Sequence, residues 1–105
     1  MMNNDFEEIL LGLPEPSQIR LLGHIALELT IFARSAYRSD GISADSNLLR
    51  KINELQHRLS DRIVHLCDRR ETYPVDVFAS MIVAGAEEIG FKKILERVIR
   101  TALTT

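Results

Sequence analysis

Residues 17–37, SQIRLLGHIALELTIFARSAY, are apolar around almost the whole circumference of a helix, and this narrows what the chain can fold into. Projected at about 100° per residue, Ile19, Leu22, Ile25, Ala26, Leu29, Phe32, Ala33, Ala36 and Tyr37 fall on one broad face. Leu27 and Ile31 fall on the other side, bordered by Arg20, His24, Glu28 and Arg34. Such a helix needs neighbours on nearly every side, from its own chain or from a second copy. The stretch predicts a helical bundle with an extra apolar pair to cover.

The segments around it share the helical period. Residues 5–11, DFEEILL, predict a short N-terminal helix with Asp5 as its cap and Gly12 as its stop. Leu13-Pro14-Glu15-Pro16 reads as a stiff connector, and the long helix is expected over about 16–37. Ser39 to Asp45 clusters Ser, Asp and Gly and reads as a loop, with Asp45 or Ser46 capping a helix over 46–69. In that helix Leu48, Ile52, Leu55, Leu59, Ile63 and Leu66 step by four and three, a narrow seam suited to an antiparallel hairpin with the long helix. Pro74 opens a helix over 74–89, with Val75, Phe78, Met81, Ile82, Gly85 and Ile89 inward. Gly85 leaves room for another backbone, and Gly90 stops the helix. Residues 91–103 form the last helix, with Phe91, Ile94, Leu95, Val98 and Ala102 inward. The expectation is an all-α compact bundle of four main helices plus the short N-terminal one, in a single domain over 1–105. The N-terminal helix is expected across one end.

Composition bounds the function classes. A chain that is 46% hydrophobic and 27% charged is an ordinary globular sequence. The net charge of −2 gives no overall pull toward nucleic acid or an anionic membrane. One cysteine, Cys67, excludes an internal disulfide and a multi-cysteine zinc site, and fits a reducing compartment. Its place near a helix C-terminus disfavours a thiolate, so it reads as a half-buried packing residue. The N-terminus MMNNDFEEILL carries acids where an export signal carries Lys or Arg, so the expected location is the cytoplasm. His24, Glu28 and Thr30 interrupt the longest apolar run, and no membrane partner is expected.

Three constellations bear on chemistry. Glu54-Leu-Gln-His57 is a Glu-x-x-His pair of the kind used in dinuclear helical bundles, and in the hairpin Glu28 falls at a similar height. Glu28, Glu54 and His57 are therefore metal candidates. Against this, only one such motif is present, and His57 projects away from the seam. His57, Asp61 and His65 repeat every fourth residue on an outer surface, where an Asp61–His65 contact is expected; His24 and Glu28 have the same spacing. The 74–89 and 91–103 pair carries a glycine turn followed by Lys92, Lys93, Arg97 and Arg100, which imitates a DNA-reading helix pair. Its turn is shorter than such motifs use. The isolated glycines form no phosphate loop.

The reading that follows is a small cytoplasmic protein acting by protein–protein association, as a homodimeric adaptor or regulator without catalysis and without a cofactor. Its interface is expected at Leu27, Ile31, Arg20, His24 and Glu28. The alternative cover for Leu27 and Ile31 is the N-terminal segment folding back through Phe6, Ile9 and Leu10. DNA binding through 91–103 is the second functional reading, and a metal-dependent bundle using Glu54 and His57 the third.

Overall fold

The turn between the first two helices is built from a glycine and two prolines. α1 (Met2–Gly12) ends at Gly12, and the Leu13 N–H donates back to the Leu10 carbonyl at 3.3 Å. α2 (Glu15–Asp40) starts beyond Pro14, whose carbonyl accepts from the Gln18 N–H at 3.0 Å. The Gln18 side chain donates to the Leu13 carbonyl at 2.9 Å and so holds the connector to the first turn. Pro16 lies in that turn, where a missing N–H costs nothing.

The computed structural model describes the backbone of residues 2–40, 46–68 and 74–104 and the side chains of 5–35, 47–68 and 74–103. α3 (Ser46–Asp68), α4 (Val75–Ile89) and α5 (Lys92–Thr104) complete an all-α bundle with no strand among the described residues. Two boundaries differ from expectation by more than one residue. α1 begins at Met2, so Asp5 sits in the first turn rather than capping it, a place equally favourable for an acid. α2 runs through Ser39 and Asp40, because a helix already propagating adds a residue cheaply until a real breaker arrives. The Asp45 cap and the Arg69–Tyr73 stretch lie outside the described residues.

α4 and α5 meet in a tight helix stop. Gly90 adopts φ 80°, ψ 21°, its N–H bonds the Glu87 carbonyl at 3.3 Å, and the Phe91 N–H bonds the Ala86 carbonyl at 2.7 Å. This pair of backward bonds satisfies carbonyls that the helix end would otherwise leave open. Phe91 then caps α5, its carbonyl accepting from the Leu95 N–H at 2.9 Å.

α2 packs between α3 and α5, and α4 closes the far side between the same two helices. With 26 residues α2 is about 39 Å long, close to the 41 Å long dimension of the molecule, so it is the spine of the bundle. α1 lies along α4 rather than across an end. The seam of α3 is as read, with Ile52, Leu55 and Leu59 buried and Leu48, Ile63 and Leu66 partly buried against the core. The close neighbour at Gly85 is a side chain and not the backbone expected there: a Cβ would stand 3.0 Å from the Leu55 Cδ1, because the α3 seam packs its leucine into the gap.

Leu21, Ala79, Val83, Ala86 and Ile99 join the core beyond the expected stripes. For α4 the reason is plain: it touches α1, α3 and α5, so one stripe is too narrow. Ala102, expected inward, is exposed, because the last turn of α5 borders a groove instead of the core.

Candidate functional site

With α3 and α5 flanking α2 and α4 behind it, one face of α2 is left open among the described residues. Leu27 and Ile31 lie there, 58% and 51% exposed. The N-terminal cover is not formed. Phe6 and Leu10 are wholly buried in the core and α1 rests on α4, because the aromatic ring gains more from the interior than from a half-wet groove.

Arg20, His24 and Arg34 surround the apolar pair and are exposed. Glu28 is half-buried and turns toward α5, where the Arg97 guanidinium donates to its carboxylate at 3.5 Å. The His24–Glu28 pairing expected from spacing is therefore not made. Gly23 lies one turn before Leu27, and a Cβ built on it would meet nothing within 4 Å.

Grooves run along both edges of this face. Between α2 and the last turn of α5 a cavity of about 450 Å³ is lined by Leu13, Ser17, Arg20, Leu21, His24, Thr101, Ala102 and Leu103. Between α2 and α3 a shallower one of about 570 Å³ is lined by Thr30, Ala33, Leu49, Arg50, Ile52, Asn53 and Gln56. Gln56 lines the second groove and bridges α3 to α2. Its amide donates to the Thr30 hydroxyl at 2.7 Å and the Ala26 carbonyl at 3.2 Å, while Thr30 donates to the same carbonyl at 3.1 Å. Sequence reasoning missed this triangle, whose only local sign was a polar residue just off the α3 seam.

The metal candidates are not brought together. Glu28 faces Arg97 on α5, whereas Glu54 sits 3.9 Å from Arg50 on the outer surface of α3 beside the exposed His57. Among the described residues no group of three or more His, Cys, Asp or Glu side chains is placed to hold a metal ion. His65 does turn toward Asp61, but its Nδ1 lies 2.6 Å from the backbone carbonyl, closer than the 3.8 Å to the carboxylate. Cys67 is exposed rather than half-buried, since one step past Leu66 takes it off the seam.

On α5 the four cations divide. Lys92 lies 3.0 Å from Glu87, whose hydrogen bond and negative charge raise the ammonium above its ordinary value. Arg97 is held by Glu28, which leaves Lys93 and Arg100 exposed and outside any ion pair among the described residues. The Phe32 and Phe91 rings meet edge-on at 5.4 Å and lock the start of α5 to α2, so these charges are presented on a fixed frame.

No helix among the described residues is long and apolar enough to cross a membrane. No protein-family model, curated protein or solved structure matches the chain.

Proposed function

We propose that the protein acts in the cytoplasm by protein–protein association through the outer face of α2, as a homodimeric adaptor or regulatory protein. The observation that carries this reading is the exposure of Leu27 and Ile31 at the centre of a face ringed by Arg20, His24, Glu28 and Arg34. An apolar centre inside a charged rim is the pattern of a docking surface, and covering each half-exposed side chain gains about 1 kcal/mol.

Sedimentation equilibrium tests the proposal. The wild type is expected to dimerise with concentration, and Leu27→Glu combined with Ile31→Lys to give a folded monomer. Wild-type protein that stays monomeric at high micromolar concentration overturns it.

Duplex DNA on α5 is a second reading, supported by the exposed Lys93 and Arg100. The ties of Lys92 to Glu87 and of Arg97 to Glu28 weaken it, because phosphate binding draws on cations able to release counterions. A DNA shift that fades steeply with salt would move this reading to first place.

A further inference from the structure

The groove between the first half of α2 and the last turn of α5 holds about 450 Å³, within the size range of small-ligand sites. Leu21, only 3% exposed, lies at its floor, and Leu13 and Leu103 add apolar wall. The α2 wall is polar, because helical spacing sets Ser17, Arg20 and His24 on successive turns of one side. Among the described residues neither Arg20 nor His24 has a carboxylate partner. The acids of α2 are directed elsewhere. Glu28 is held by Arg97 at 3.5 Å, and Glu15 stands about 140° round the helix from Arg20. Charge is sorted in the same sense over the molecule, since α1 and α4 carry acids and no Lys or Arg, whereas α5 carries four cations against Glu96.

An apolar groove with two cations on one wall suits a ligand with an anionic head and an apolar chain. We propose that it binds a single-chain anionic amphiphile, a medium-chain carboxylate or its phosphate analogue, with the head at Arg20 and His24 and the chain over Leu21 toward Leu103. The Arg20 guanidinium offers such a head a two-pronged donor, and His24 a ring N–H. The opposite wall sets the direction of the chain. The last carbonyls of α5 carry partial negative charge, which repels an anionic head and leaves that end to the apolar chain. The site goes beyond the association reading and does not depend on it, although Arg20 and His24 belong to both surfaces.

Amide chemical-shift titrations with octanoate and with octyl phosphate, each kept below its micelle-forming concentration, test the site. Saturable shifts at 17–24 and 101–103 are expected, with one ligand per chain, and the tighter of the two amphiphiles identifies the head group. Acetate lacks the chain and octanol the charge, so each is expected to bind at least tenfold more weakly. Arg20→Gln and Leu103→Glu, both at exposed positions, are each expected to weaken binding at least tenfold. Leu27→Glu/Ile31→Lys is expected to bind like wild type whatever its state of assembly, so failure of this site and failure of association read separately. Acetate or octanol binding as tightly as octanoate and octyl phosphate overturns the proposal, leaving a surface ion contact or an apolar patch. Wild-type affinity in Arg20→Gln or Leu103→Glu, or no saturable shifts with either amphiphile, overturns it as well.

Discussion

Gly90 and Gly23 answer to different physics, and substitution separates them. Gly90 holds φ 80°, a conformation that costs a residue with a side chain roughly 1–2 kcal/mol, so Gly90→Ala should lower stability by about that amount. Gly23 is inside a helix with open space around it, and there Ala should raise stability by about 0.5–1 kcal/mol. Urea melts of the two variants, shifted in opposite directions from wild type, check the pair. Gly90 was legible in the sequence because a glycine between two periodic runs has one cheap use. Gly85 was legible as a gap in an apolar face, but its occupant, the Leu55 side chain, was not. Gln56 was not, since its partners Ala26 and Thr30 lie far back in the chain and no spacing rule connects them. The same holds for Glu28, whose sequence neighbours suggested His24 and whose partner is Arg97.

At the scale of elements, the five helices could be read from period and punctuation, and α3 also from its narrow seam. The destination of α1 could not. Its apolar residues, Phe6, Ile9 and Leu10, would suit either the outer face of α2 or the surface of α4. The choice depends on which partner offers the deeper burial. Phe6 and Leu10 are the two wholly buried anchors of α1, so Phe6→Ala should cost about 3–5 kcal/mol. If α1 depends on those anchors, the variant should also lose amide protection across residues 5–12 before the rest of the bundle. Thermal melts and hydrogen exchange check both effects, and unchanged protection in α1 would contradict its placement on α4. The width of the buried face of α4 has the same origin, because it was set by three helical neighbours and not by its own periodicity.

For the whole molecule, the question is whether the folded unit is one chain or two. A partner that binds only the folded state stabilises it by mass action. The melting temperature of wild type is therefore expected to rise with protein concentration, and that of Leu27→Glu/Ile31→Lys to be independent of it. Calorimetry across a hundredfold range of concentration, about 3 kcal/mol in mass-action terms, measures the difference. Equal behaviour of the two proteins would remove the α2 face from any account of assembly. Sequence alone determined the all-α class, the helix stops at Gly12 and Gly90, the seam of α3 and the presence of Leu27 and Ile31 on the wrong side of α2. These follow from backbone hydrogen bonds four residues apart and a period of about 3.6, which are local properties. Only the tertiary structure decided that α1 rests on α4 and leaves that pair uncovered. It also decided that Glu28 meets Arg97, that Glu28 lies apart from Glu54 and His57, and that acidic and basic helices are sorted onto separate surfaces. Hydrophobic burial has no direction of its own, so which face meets which is settled by the joint fit of side chains distant in sequence.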